Sequence, residues 1–358
     1  MNCPPEPLQS ALAPTLSAPQ QKPRPLPLFL AMLRSETAQH PERMEKALLG
    51  LRKYQESARR APLKQKPAIH TVHGASLRDY GGSGPPVVFV PSLINPPNVL
   101  DLSVDRSLLR WLVAEGHRPL LVDWSADVDS RRHLSVAGHV EHIVAPMLRA
   151  LGGSAALVGY CLGGTMALAA ASITPVRSVA TIATPWHFAH YPEEARTLLE
   201  SLWTQGRPTA ERLGLFPMEL LQSAFWSLDP ARTVSKFERF AQLDGGSVEA
   251  EAFVLLEDWA NDGPPIGGAA ARELFEDLFA ADLSGRGAWR IGDAPVIPAD
   301  LPMPLLNIVS TVDRIVPAAS ATDAGERIEI DKGHVGMVVG GSARTSLWEP
   351  LRDWLFRF

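Results

Sequence analysis

The stretch VGYCLGGT, residues 158–165, sets a cysteine among glycines: Gly159 two residues before Cys161, Gly163 two after it, and Gly164 next. An apolar, β-prone run precedes it (AALVGY, 155–160) and a helix-prone run follows (LGGTMALAAASI, 162–173). A strand that turns sharply into a helix strains the residue at the corner, so the flanking positions must be nearly free of side chain. The helix N-terminus then points its partial positive charge and unpaired N–H groups at that corner. A cysteine there is favoured as thiolate, and the N–H of Leu162 is open to an oxyanion. Free cysteine is also among the most buried residue types, so the pattern around the stretch has to decide.

That pattern alternates strand and helix. VVFVP (87–91) is a short apolar strand, 105–116 a helix ending at Gly116, PLLVDW (119–124) a strand and 135–151 a helix. AALVGY, the helix 162–173 and the strand SVATIA (178–183) follow. Continuous apolar strands separated by helices indicate a parallel sheet covered on both faces. The rhythm stops over about 186–300, a region rich in Trp and Phe, and resumes with PLLNIVS (304–310), ERIEID (326–331) and a closing helix from about 343. The expected fold is an α/β-hydrolase fold: a mostly parallel central sheet flanked by helices, with an inserted helical lid or cap subdomain. The expected organisation is a disordered N-terminus (1–25), an N-terminal helical segment (26–66) broken at Pro41, and a catalytic domain (67–358) carrying the lid at about 186–300. LPLFLAML (26–33) is interrupted by Arg34 and Glu36 and is taken as part of an amphipathic helix, not a signal peptide.

A strand, a turn with a nucleophile and a helix make the nucleophile elbow of that fold, in which the chain order is nucleophile, acid, histidine. PLLNIVS runs into TVDRIVP, which sets Asp313 at a strand end; ERIEID runs into KGHVGM, which sets His334 in the loop after the last strand. Asp313 would orient the imidazole, and His334 would take the proton of Cys161 and later that of an incoming alcohol or water. Asp323 and Asp331 compete with Asp313, while His187 and His190 fall in the wrong order. A second oxyanion donor is expected from SLINPPN (92–98), at Leu93, Ile94 or Asn95, with Ile94 preferred; Pro96 and Pro97 have no N–H to give. Asn95, Tyr160 and Trp186 are the candidate substrate contacts, and Asp123 and Trp124 end a further strand that could line the pocket.

Composition closes several other routes. Apolar residues make up 46% of the 358 and charged residues 20%, the balance of a globular protein with a core. The net charge of −5 leaves no footprint for nucleic acid. No run approaches the roughly 20 apolar residues that span a bilayer. Two cysteines, Cys3 and Cys161, make a structural disulfide improbable and point to a reducing, cytoplasmic setting. There is no CxxC, no HExxH and no Gly-rich loop followed by Lys, so no metal or nucleotide cofactor is expected.

The run VPSLINPPNVLDLSVDRSLLRWLVAEGHRPLLVDW (90–124), the elbow GYCLGG, the segment DRIVP and the segment KGHVGM together resemble polyhydroxyalkanoate synthases. The resemblance implies an acyltransferase with a Cys161–His334–Asp313 triad. Its substrate would be (R)-3-hydroxyacyl-CoA, polymerised with release of CoA. It also accounts for sulfur, since passing an acyl group from CoA to Cys161 exchanges one thioester for another and keeps the group activated. The chain has about the length of the catalytic subunit of two-component synthases, which implies a helical partner subunit or a homodimer, and association with polyester granules. It carries Leu93 where the family usually has an aromatic and Ala318 where it usually has Trp. A non-polymerising acyltransferase, a thioesterase, a depolymerase and a non-catalytic binder stay open as alternatives.

Overall fold

Each central strand is one of the apolar runs, because a strand covered on both faces has no polar side to present to water. The computed structural model describes residues 22–358; residues 1–21, with Cys3 and most of the segment expected to lack order, lie outside the described residues. Eight strands form one sheet: β1 (Ala68–Val72), β2 (Ala75–Asp79), β3 (Pro86–Val90), β4 (Arg118–Asp123), β5 (Ala156–Tyr160), β6 (Ser178–Ile182), β7 (Leu305–Ser310) and β8 (Glu326–Ile330). Their spatial order is β1-β2-β4-β3-β5-β6-β7-β8. β2 is antiparallel to both β1 and β4, and every neighbouring pair from β4 to β8 is parallel.

The helices are α1 (Leu26–Glu36), α2 (Pro41–Glu56), α3 (Leu108–Ala114), α4 (Val136–His139, continuing through a π turn at Val140–Val144 into Ala145–Ala150) and α5 (Leu162–Ile173). Between β6 and β7 come α6 (Glu193–Leu213), α7 (Met218–Leu228), α8 (Pro230–Gln242), α9 (Val248–Ala260) and α10 (Gly268–Arg272, continuing as Glu273–Ala280). After β8 come α11 (Gly336–Val339) and α12 (Glu349–Leu355). No helix among the described residues is long and apolar enough to cross a membrane.

Alternation along β3 shows how the sheet builds two cores. Val88 and Val90 face a cluster with Leu120, Val122, Leu157 and the buried sides of α4 and α5. Val87 and Phe89 face the opposite cluster with Leu121, Val158, α3 and α12. Burying each large apolar side chain contributes about 1.5–3 kcal/mol, and all five residues of β5 and of β6 are buried. The parallel strands end on one edge of the sheet, where an open α/β sheet collects its ligands.

α1 and α2 pack on the inserted helices, not on the sheet. Phe29, Leu51 and Tyr54 join Trp226, Phe237, Phe240 and Val254 in a third buried cluster. α2 crosses α8 so closely at Gly50 that a Cβ there would collide with the Phe237 carbonyl oxygen. Pro41 is the first residue of α2, where its missing N–H leaves no gap in the helix. Residues 22–25, assigned from the sequence to a segment without order, are tied to the end of α9 and its following loop. Lys22 Nζ donates to the Asp258 carbonyl at 3.3 Å, and Arg24 to that of Asn261 at 3.0 Å.

Candidate active site

The elbow between β5 and α5 is tight enough to force left-handed backbone on a residue that has a side chain. Cys161, at the N-cap of α5, takes φ 56° and ψ −132°. Three glycines make room for this corner. A Cβ on Gly159 would collide with Gly164, one on Gly164 with the Thr184 side chain, and one on Gly163 with the Val90 carbonyl at the end of β3. Gly163 thus lets the elbow lie against the loop that follows β3. The Cys161 N–H donates to the Ile182 carbonyl at 2.9 Å, and its carbonyl accepts from Gly164 N–H at 2.8 Å.

The loops after β7 and β8 bring Asp313 to His334, with Asp313 Oδ2 and His334 Nδ1 2.6 Å apart and both side chains buried. Asp313 Oδ1 accepts from the N–H groups of Ile315 and Val316 at 2.8 and 3.1 Å, which fixes the carboxylate. Tyr160 stacks beneath the imidazole, with ring centroids 5.0 Å apart, and its hydroxyl donates to the His334 carbonyl at 3.2 Å. Tyr160 therefore supports His334 as well as lining the cavity. Burial works against a proton on His334, but the Asp313 carboxylate and the Cys161 sulfur outweigh it and raise the pKa to about 10. Of the competing acids, Asp331 is exposed and paired with Lys332, and Asp323 is exposed. His187 and His190 stack on each other, 5.2 Å apart.

Cys161 and His334 line one cavity of about 180 Å³, together with Asn95, Tyr160, Ile315 and lid residues that include Gln222, Phe225, Lys236 and Trp259. Asn95 Nδ2 is buried with no hydrogen-bond partner among the described residues. The lid is tied to the loop after β3 by Trp259 Nε1, which donates to the Pro96 carbonyl at 2.9 Å. Half-buried Lys236, paired at 2.8 Å with the buried Glu257, brings a charge from the lid to this wall. The sequence carries no periodic or motif signal for these lid residues; they come to the site through the packing of α7, α8 and α9.

Three expectations need correction. The Ile94 N–H donates to Ser92 Oγ at 3.1 Å and is thereby engaged inside its own loop. The N–H groups of Leu162, Leu93 and Asn95 meet no acceptor among the described residues, which leaves these three as candidate oxyanion donors. Trp186 does not line the cavity: its ring is buried edge-on to Trp289 with centroids 6.1 Å apart, and its backbone is held by Ser320 and Ser284. Asp123 also turns away from it. Burial opposes the Asp123 charge, but hydrogen bonds from Ser125 and Arg78 outweigh burial and hold its pKa below the usual carboxylate value. Trp124 is buried as well, its Nε1 donating to the Pro91 carbonyl at 3.1 Å.

Residues 63–339 match the family described as alpha/beta hydrolase fold. The chain is similar to the poly(3-hydroxyalkanoate) polymerase subunit PhaC of Haloarcula marismortui, 26% identical over 297 residues, which cover 78% of this chain and 62% of that protein. It is also similar to the poly(3-hydroxyalkanoate) polymerase subunit PhaC of Allochromatium vinosum, 28% identical over 289 residues, 75% of this chain and 80% of that one. The match thus spans less than two thirds of the length of the Haloarcula relative. Among solved structures, the alpha/beta hydrolase GrgF from Penicillium sp. sh18 aligns with a TM-score of 0.51 and 19% identity, covering 82% of this chain and 99% of that one, a likeness of fold alone.

Proposed function

Because the chain belongs to the alpha/beta hydrolase fold family, we propose that it is an acyltransferase of the polyhydroxyalkanoate synthase kind. Its nucleophile is Cys161, and its substrate is a 3-hydroxyacyl-CoA. The observation that carries this reading is the constellation itself: a strained cysteine at a helix N-terminus faces the same cavity as a histidine whose other nitrogen is bound to a buried carboxylate. Similarity to poly(3-hydroxyalkanoate) polymerases supports the choice of acyl transfer over the other chemistries of the fold.

In this reading the Cys161 thiolate attacks the thioester carbonyl, and the carbonyl oxygen takes up the charge against the N–H of Leu162 and that of Leu93 or Asn95. The tetrahedral intermediate collapses by breaking the bond to the CoA sulfur, which leaves with the proton of the His334 imidazolium. The acyl group is now on Cys161 and His334 is neutral. A second substrate, or the end of a growing chain, presents a hydroxyl; His334 takes its proton as the oxygen attacks the Cys161 thioester, and an ester forms with return of the thiolate. Asp313 stabilises the imidazolium in both halves and holds its orientation. Asn95 Nδ2 supplies a donor to the bound substrate, relieving the roughly 1–3 kcal/mol that an unpaired buried N–H costs. A helical partner or second copy, polyester association and a cytoplasmic setting belong to the same proposal.

The test is CoA release from 3-hydroxybutyryl-CoA with the product identified, with and without a helical partner. Insoluble polyester is expected. Free hydroxy acid would replace the reading by a thioesterase, and full turnover by Cys161→Ala would overturn any role for that nucleophile. Absence of turnover, together with no labelling of Cys161 by an acyl-CoA, would leave a binding protein.

A further inference from the structure

Cys161 lines a second cavity of about 80 Å³ on its other side, and the two share Ile94, Phe225 and Ile315 as a dividing wall. Their chemistry differs sharply. His334, Asn95, Gln222 and Lys236 face only the first. The second is walled by aliphatic and aromatic side chains of α6, α7 and α10, Leu199, Leu221 and Phe275 among them, and Leu162 lies in its lining. Its polar members have nothing to give to proton transfer. Arg314 is paired with Asp229 at 2.7 Å, and burial raises the pKa of Tyr191 well above the usual tyrosine value.

Acyl transfer at Cys161 has to divide its groups between these spaces. The leaving sulfur and the attacking hydroxyl both exchange a proton with His334, so both must stand in the first cavity. Beyond C2 and the 3-hydroxyl carbon, the remaining substituent of the carbonyl is an alkyl tail, which exchanges no proton and is apolar. Only the second cavity matches it. Resting on the acyl-transfer reading above, we propose that the apolar cavity beside Cys161 and Leu162 binds the alkyl tail of the acyl group and that its size sets the acyl chain length. With about 30 Å³ per water-sized group, 80 Å³ takes on the order of three carbon-sized groups. Short acyl groups of four to six carbons are therefore the expected substrates. Leu199 on α6, half-buried, lines the cavity at a position where its volume can be changed.

The experiment follows acylation of Cys161 by intact mass after rapid mixing with 3-hydroxyacyl-CoA of four, six and eight carbons. One methylene in an apolar pocket is worth about 10- to 200-fold in discrimination. Leu199→Trp should therefore lower the six-to-four-carbon rate ratio about tenfold, and Leu199→Ala should raise the eight-to-four-carbon ratio about tenfold. Leu221→Ala, from α7, should act in the same direction as Leu199→Ala. Ratios that stay constant in variants with a cooperative melting transition would overturn the assignment. Acylation is read without polymer, so failure to make polyester counts against polymerisation alone. Ratios that do not move count against the tail pocket alone, and absence of acylation by any of the three overturns both.

Discussion

Cys161 pays for its position in backbone strain: a side-chain-bearing residue at φ 56° costs on the order of 1–3 kcal/mol, held in place by the surrounding hydrogen bonds. The strain is useful because it sets the sulfur at the boundary of two cavities with the α5 N-terminus behind it. His334 is tuned in the opposite sense, by attraction. Its pKa lies at about 10 in the fold against 6.5 for the free side chain, so the folded state holds its proton more tightly. The stability this contributes is full below about pH 6.5 and is lost as pH rises through 10. Asp313→Asn removes the charge while keeping a similar shape. The melting temperature of the native chain should therefore exceed that of the variant most below pH 6.5, and the gap should narrow toward pH 10. A gap that stays flat would show that Asp313 does not hold the proton on His334. CoA release by the same variant should fall on the order of 10⁴-fold through loss of the correct tautomer, and loss of the high-pH limb of its pH profile should accompany that fall.

The elbow is an element-scale device, and its tolerance is a matter of ångströms. Because a Cβ on Gly163 would meet the Val90 carbonyl, Gly163→Ala must push α5 away from the end of β3. We expect a loss of about 1–3 kcal/mol in urea unfolding, with a larger fall in acylation rate because the Leu93 and Asn95 N–H groups move with the displaced loop. Gly246→Ala, where an added Cβ meets nothing, should stay within about 0.5 kcal/mol. Equal losses for the two would refute the packing argument. This elbow, and the parallel strands β3 to β7, were legible because each is a short, largely apolar run bounded by turn residues, while β8 (ERIEI) alternates charged residues with isoleucine at the sheet edge. β1 and β2 were not legible: AIHTV and ASLRD mix polar and apolar residues, β1 forming the sheet edge with no residue buried and β2 buried only at Ala75, Ser76 and Leu77. Asp313 and His334 were legible from strand order alone, whereas Ile94 was preferred without knowing that Ser92 would engage its N–H. Trp186 lies four residues beyond the end of β6, and no local pattern tells a core tryptophan from a cavity one.

At the scale of the molecule, the N-terminal hairpin is joined to catalysis through the lid. Phe29 packs edge-on to Trp226 and Phe237, with centroids 5.5 and 5.1 Å apart, and Trp226 lines the cavity that holds Cys161 and His334. Polar ties reinforce the contact: Tyr54 donates to Asp258 at 2.7 Å, and Arg59 reaches the same carboxylate at 2.9 and 3.1 Å. The two cores on the faces of the sheet take in lid residues from α6, α7, α9 and α10 but none from α1, α2 or α8. The hairpin and the α8 side of the lid should therefore open together while the sheet stays closed. Phe29→Ala removes a fully buried ring, a change worth about 3–5 kcal/mol, and that loss should fall on the hairpin–lid unit. Native-state hydrogen exchange should show reduced protection in α1, α2 and α8 with β5 and β7 unchanged. KM for the acyl-CoA should rise more than kcat falls, because the wall carried by Trp226 loosens while the triad stays on the sheet. If protection falls equally in β5, the hairpin, lid and sheet form one cooperative unit, and the site cannot be tuned through its N-terminal helices.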